Sequence, residues 1–563
     1  MTGALANLLT IVTFLPLVGA LVVLAVPDGK LGRSIAFWCS VVVFLVSLLL
    51  LGKFDAAAPA AFQLETNVPW VSSLGIGYHV GIDGVSLLLI LLTTFLMPIV
   101  IASAKDTITF RNKEFAVAAL VLETAMLGAL VALDMVLFYV FWELMLVPMF
   151  FIVGIWGSEN RIYAAVKFFI YTMVGSLLML IAIIYLYWLT GEQTGTRTFD
   201  YVAMLALRIA PQVQIWLFIA FALAFAVKVP MFPLHTWLPD AHVQAPAPGS
   251  VILAGVMLKM GTYGFYRFAF PLFPQATFEL RWVIVALAVI GIVYGSLMSM
   301  AQRDMKKLIA YSSVAHLGFV MLGLAAFTTA GVTGAVYQML NHGISTGALF
   351  LMVGMIYARQ HTRLIADYGG IAKVIPAFAA VWLIVTLSSI GLPGTNGFVG
   401  EFLILTGTFV SKLPGGQWWA TFAATGVILG AVYMLWMYQR VWQGDITREE
   451  NRHIKDLTVR EWMVLAPMIA LIFVMGLFPT PFLNLARPSV ARFVSLMERN
   501  APELAGDLPA SVAPVVAAPL ALPGEQRAPA RQVLEIAPRV RPIAPGNNLL
   551  PQGLRPVAPA PQQ

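Results

Sequence analysis

The chain has 563 residues, 60% of them hydrophobic and only 11% charged, with a mean hydropathy of +0.85. That is more apolar material than a water-soluble core needs, and it sets the chain among polytopic membrane proteins. The formal charge of +7 is spread over loops and the tail, so it points to membrane orientation rather than nucleic acid. A single cysteine, Cys39, leaves no disulfide framework, thiolate zinc site or cysteine-ligated iron–sulfur cluster to be expected here.

Apolar runs of about twenty residues, the length that crosses the hydrocarbon, recur along the chain. They predict fourteen helices near 4–26, 34–51, 82–104, 114–132, 134–154, 165–189, 213–237, 247–270, 281–300, 307–327, 331–357, 375–409, 420–443 and 461–480. The first run, Leu8 to Val26, has no basic stretch before it and no small-residue cleavage site after it. It reads as a retained helix rather than a signal peptide.

Loops after odd-numbered helices carry seventeen Lys and Arg residues, and those after even-numbered helices carry six, the tail excluded. The positive-inside rule then places the odd loops in the cytoplasm and both termini in the periplasm. The expected location is a bacterial inner membrane. The chain divides into a three-helix segment (1–113), two five-helix repeats (114–270 and 271–443), a transmembrane helix with linker (444–499) and a Pro/Ala-rich tail (500–563). The tail cannot bury enough apolar surface to offset its ordering entropy, and flexibility is expected there.

Two helices are interrupted. Helix seven meets Pro230 and Pro233 just after Lys228, and a proline deletes a helical hydrogen bond and disfavours the α region for the residue before it. Helix twelve breaks in the run Gly391 to Gly397, at Pro393 and Gly394, with Glu401 in its second half. Each is the fourth helix of its set, helices four to eight and nine to thirteen. An odd number of helices per set starts the second copy from the opposite membrane face. The expectation is an all-α integral membrane protein with two inverted five-helix repeats, and paired discontinuous helices of that kind hold ion sites near the midplane.

The ionisable residues inside apolar runs are few: Glu123, Glu143, Lys167, Lys228, Lys259 and Glu401, with His316 and His342. Such residues are costly in a membrane and default to function. Lys228 has apolar residues on both sides, which argues against a lysine that only snorkels to the headgroups. Glu143, ten residues or so from either end of helix five, must be protonated or paired, and Lys228 is its natural partner. With the glutamate close the lysine holds its proton, and with it drawn away the proton leaves; the alternative is a static bridge between helices. Lys259 suits a relay position after Lys228. His316 and His342 either continue a proton path or hydrogen-bond for packing. Glu401 is the candidate terminal group. Glu123 and Lys167 are secondary candidates for the same path; the alternatives are that Glu123 only supports the helix-five glutamate and that Lys167 snorkels from the cytoplasmic end of helix six. His235 and His242, seven apart around Pro239 and Asp240, lack metal-binding geometry. With no Walker loop or dinucleotide fingerprint, neither ATP nor NADH is expected to be handled by this chain.

Four stretches carry a resemblance: Phe141-Trp-Glu-Leu, Lys228-Val-Pro-Met-Phe-Pro-Leu-His-Thr-Trp-Leu-Pro-Asp-Ala-His, Ser312-Ser-Val-Ala-His-Leu-Gly, and Gly391-Leu-Pro-Gly-Thr-Asn-Gly-Phe-Val-Gly-Glu-Phe. They resemble the antiporter-like subunits of respiratory complex I, the NADH-quinone oxidoreductase, most of all the subunit M or chain 4 type. Glu401 stands where the L- and N-type siblings carry lysine. The resemblance implies a fourteen-helix fold, a pumping glutamate at Glu143, central lysines at Lys228 and Lys259 and a terminal glutamate at Glu401. It implies protons driven from cytoplasm to periplasm by NADH-to-quinone electron transfer in other subunits. FMN, iron–sulfur clusters and quinone would lie there, with none in this chain, and L- and N-type subunits would be neighbours. A subunit of a multi-subunit Na+/H+ antiporter or membrane-bound hydrogenase is the alternative; a purely structural arm subunit is a third.

Overall fold

A computed structural model describes residues 8–58 and 61–500. Twelve helices among them are long and apolar enough to cross a membrane. Two more crossings are made of pieces, which brings the count to the expected fourteen. Helix eight runs from Ala247–Ile252 to Phe270–Leu272 and is interrupted by two π-helical turns, Leu253–Met257 and Phe265–Ala269. Helix twelve consists of Pro376–Ser389 and Asn396–Phe409.

The first half of helix seven, Pro211–Lys228, stops at the lysine; the chain resumes as Trp237–Gln244 beyond Pro230 and Pro233. Part of the freed backbone is satisfied locally: Trp237 Nε1 donates to the Val227 carbonyl at 2.9 Å. At the second break Gly391 and Gly394 take φ of 74° and 91°, values that cost side-chain-bearing residues dearly. Helix five, Met135–Leu144 and Leu146–Trp156, hitches at Met145. Pro148 has no N–H for the Leu144 carbonyl one turn back.

Helices ten and eleven form the interior, with 94% and 89% of their apolar windows buried; for helices two and fourteen the share is 28%, which leaves those two facing outward. Helix three (Gly84–Thr107) lies between, and Leu92 and Leu96 occupy the space a side chain on Gly343 or Gly255 would need.

Two elements were not anticipated. Between helices two and three, β1 (Gln63–Val71) and β2 (Ile76–Ile82) form an antiparallel hairpin with Val68 opposite Tyr78. It joins the loops after helices four and six, since Leu133 N donates to the His79 carbonyl at 2.8 Å and Phe199 N to the Gly75 carbonyl at 3.2 Å. The stretch read as a linker after helix fourteen (Val459–Leu477) is instead a helix, Thr480–Arg499. Ala486, Val490, Phe493, Val494 and Met497 make its buried stripe, at helical spacing. Phe493 packs on Tyr266 of helix eight at 4.7 Å between ring centroids. Gly84 admits the helix closely, for a Cβ there would lie 1.8 Å from the Leu485 carbonyl oxygen. The expected flexible tail lies, from residue 501, outside the described residues.

Three residues counted as loop charges are interior. Lys306 is 4% exposed and donates to the Ala245 carbonyl at 2.5 Å. Arg281 caps the end of helix ten by donating to the Ala325 and Ala326 carbonyls, both at 2.7 Å. Arg267 is buried in an ion pair with Asp83 at 2.6 Å. The imbalance between the loop sets survives their removal. Below, the face bearing the loops after odd-numbered helices is called the basic face.

Candidate proton-relay site

Helix eight brings Lys259 to the centre. The lysine is fully buried between the two π turns. A π turn leaves a carbonyl without its ordinary i+4 donor, and Lys259 Nζ donates to that of Ala254, five residues back. The same ammonium meets His342 Nδ1 of helix eleven at 2.7 Å. The His342 ring is 5.7 Å, centroid to centroid, from the ring of His316 on helix ten. His316 Nδ1 lies 3.2 Å from Glu401 Oε1 on the second half of helix twelve. Four of the residues singled out in the sequence thus form one buried succession, Lys259, His342, His316, Glu401, drawn from four helices.

The glutamate is held from one further direction. Gln338 Nε2 donates to Oε1 at 3.0 Å, while Asn341 Nδ2 donates to Gln338 Oε1 at 2.9 Å. A Cβ on Gly391 would come within 3.0 Å of Glu401 Oε2, so the glycine at the break also makes room for the carboxylate. Between the imidazoles, His316, Asn341, His342, Ser345 and Ser388 line a cavity of about 10 Å³, at the lower bound for one water molecule. Gln338 and Asn341 were missed in the sequence. Their signal was present: Gln338, Asn341, His342 and Ser345 sit at i, i+3, i+4 and i+7, one polar face in the middle of a largely apolar helix.

Lys228 and Glu143 are placed differently. Lys228 is 1% exposed, and neither its Nζ nor Glu143 Oε1 hydrogen-bonds to any described residue. The ammonium instead lies over the Trp142 ring, 4.6 Å from its centroid. The ion pair expected between them is therefore not closed. Glu143 sits on the half-exposed side of helix five, within reach of Tyr139 one turn earlier, while Lys228 points inward from helix seven. No hydrogen bond joins Lys228 to Lys259 among the described residues.

Lys167 does not snorkel outward. It pairs with Asp240 at 2.7 Å and ties helix six to the second half of helix seven. Glu123 is completely buried on helix four with neither oxygen bonded to any described residue, in the electrostatic reach of Cys39 on helix two. His242 is fully buried and stacked on Phe350, centroids 4.4 Å apart, with both ring nitrogens unpartnered. His235 lies edge-on to Tyr294. Among the described residues no group of three His, Cys, Asp or Glu could hold a metal ion.

At the face opposite the basic one, Arg267 and Asp83 are walled by Phe62, Tyr263 and Tyr266, with the guanidinium 4.9 to 5.5 Å from the ring centroids. Nearby on β2, His79 Nδ1 meets Asp200 Oδ2 at 2.5 Å, and Glu65 Oε2 lies 3.6 Å from Nε2. Burial alone would lower its pKa; the two carboxylates outweigh burial and hold it at about 9.

Discontinuous helices around a buried Lys/His/Glu succession define an antiporter-like membrane subunit. The model of the NADH:quinone oxidoreductase/Mrp antiporter transmembrane family matches residues 132–430, and the chain belongs to that family. NADH-quinone oxidoreductase subunit M of Rhodobacter capsulatus is 48% identical over 507 residues, 87% of this chain and 96% of that one. Among solved structures, a chain of respiratory complex I from Thermus thermophilus aligns with TM-score 0.78 and 32% identity, over 87% of this chain and 99% of its own. A chain of the Mrp complex from Dietzia aligns with TM-score 0.76 over 89% of this chain and all of its own; at 20% identity that likeness is one of fold.

Proposed function

We propose that this chain is a proton-translocating membrane-arm subunit of an NADH:quinone oxidoreductase. It carries protons from cytoplasm to periplasm, driven by electron transfer in other subunits that hold FMN, iron–sulfur clusters and quinone. The observation that carries this reading is the buried succession from Lys259 to Glu401. The bacterial inner membrane, periplasmic termini and L- and N-type neighbours belong to the same proposal, supported by the loop charges and the relatives.

The chemistry follows from the contacts. Lys259 donates to His342 Nδ1, so a proton passed there leaves from Nε2 toward His316, with the small polar cavity as a place for a bridging water. His316 then delivers through Nδ1 to Glu401, whose negative charge Gln338 stabilises. Lys228, with no hydrogen-bond partner among the described residues and Glu143 held apart, is poised to give up its proton. Approach of the Glu143 carboxylate draws a proton back. Each proton moved against the field costs about 2.3 kcal/mol per 100 mV, so a permanently connected path would leak. The gap between Lys228 and Lys259 is the gate.

Lys259→Met, introduced into the assembled complex, tests the reading by proton uptake per electron in inverted membrane vesicles. Collapse of pumping with assembly intact on a native gel is expected. An undiminished proton ratio at normal turnover assigns the residue, and with it the succession, to helix packing and removes the proposal. The Na+/H+ antiporter reading has behind it the shared family model and a likeness of fold at 20% identity, against 48% identity to a subunit M.

A further inference from the structure

We infer that the groove between helices two, three and fourteen binds one anionic phospholipid from the leaflet on the basic face. The groove measures about 820 Å³, within the range of ligand sites. Lys30 and Arg33 of helix two, Lys105 at the end of helix three and Arg460 at the start of helix fourteen ring its mouth. None of the ten ion pairs among the described residues engages Lys30, Arg33 or Lys105. Arg33 donates to Asn112 Oδ1 at 3.3 Å, and Asp28, the nearest carboxylate along helix two, is engaged in capping that helix through Lys30 N at 3.0 Å. Three helix ends therefore converge their cations on one spot at the membrane surface. A basic pocket between membrane helices is suited to an acidic headgroup.

Below the mouth the walls are apolar, with Phe37 and Phe44 on helix two and Phe95 on helix three. Pro98 and Pro467, each inside its helix, also line the groove; mid-helix prolines bend helices and so open space between neighbours. From Lys30 to Phe44 the helix advances about 21 Å at 1.5 Å per residue. That covers the roughly 15 Å of one leaflet's hydrocarbon plus part of its headgroup layer. A groove one leaflet deep, charged at one end only, has the form of a lipid with an anionic head; a protein helix docked there would need a path through both leaflets. An adjoining face of helix three, Leu92 and Leu96, closes on Gly343 and Gly255, beside His342 and near Lys259. A bound lipid thus props helix three against the helices that carry the relay.

The test takes the whole membrane complex, purified in mild detergent from cells carrying Lys30→Gln, Arg33→Gln, Lys105→Gln and Arg460→Gln together. Phe44→Trp, made separately, fills the groove without touching the charges. Native mass spectrometry counts retained phospholipids. The expected result is one anionic phospholipid fewer per copy in both variants than in the unmodified complex. Phosphatidylglycerol vesicles should restore the missing lipid to delipidated unmodified protein, while phosphatidylcholine vesicles do not, and inorganic phosphate should not compete. Equal counts in the unmodified and Phe44→Trp proteins overturn the inference, as does restoration by phosphatidylcholine or displacement by free phosphate. Crosslinking of a photoreactive residue at Phe37 to a neighbouring polypeptide assigns the groove to a protein partner and overturns it too.

Discussion

The two five-helix sets solve the same problem in opposite ways. In the second, His316 touches Glu401, and His342 beside it takes a hydrogen bond from Lys259. In the first, Lys228 and Glu143 are buried or half-buried charges with no hydrogen bond between them, and an indole face takes the place of a counter-ion. In the proposed function a connected set conducts, and an open set holds or releases a proton according to where one carboxylate stands. A pump needs both, because a relay connected throughout would dissipate the gradient it builds.

The comparison breaks most sharply at its junction. Lys228→Met and Lys259→Met should each lower pumping-coupled turnover tenfold or more with assembly retained. Residues acting as a unit are strongly non-additive, so Lys259→Met combined with Glu401→Gln should be hardly worse than either alone. Additive losses, measured as turnover and proton ratio in vesicles, would show that the succession from Lys259 to Glu401 is not one path.

A second effect is on stability. Arg267→Met leaves Asp83 buried without its partner, and breaking such a pair costs about 3–5 kcal/mol. The midpoint of thermal unfolding in detergent should fall by several degrees, and the double variant with Asp83→Asn should recover part of the loss. Next in size comes Gly391→Ala. A side chain at φ 74° and 3.0 Å from Glu401 Oε2 displaces the carboxylate, and turnover should drop severalfold, while alanine at Gly394, with open space around it, falls short of that. Equal losses would mean that strain alone matters at the break.

The smallest effect concerns the hairpin over the first set. His79 is held at about 9, above its ordinary value, by Asp200 and Glu65. Its charge therefore contributes stability that is fully present below about pH 6.5 and is lost as pH rises through 9. The protection factors of β1 and β2 against hydrogen exchange should fall over that window and stay level in His79→Gln.

Helix count, breaks and most interior charges were legible in the sequence, because a bilayer makes every lipid-exposed polar group expensive and leaves long apolar runs as a plain record. Three things were not. The Thr480–Arg499 helix has an apolar stripe too narrow to show as a membrane run, though its helical spacing was readable. Arg267, Arg281 and Lys306 lie close to predicted helix ends, where position alone cannot tell a loop charge from one folded inward onto a carboxylate or carbonyl. The hairpin's strands, nine and seven residues long, are interrupted by Pro69, Gly77 and Gly81, and they gain order from the loops they join.

Fourteen membrane helices, the points at which two of them break, and the few side chains costly enough to require a purpose all follow from the order of amino acids, because hydrocarbon penalises every unmatched polar group. Which of those side chains meet was decided by tertiary structure alone. A lysine and a glutamate at matching depth make a plausible pair on paper, but direction around a helix axis sets contact. That direction depends on π turns in helix eight, on glycines that let backbones close up, and on which faces of helices five and seven turn inward. Hence Lys259 found His342 and Glu401 found His316, while Glu143 and Lys228 stand apart.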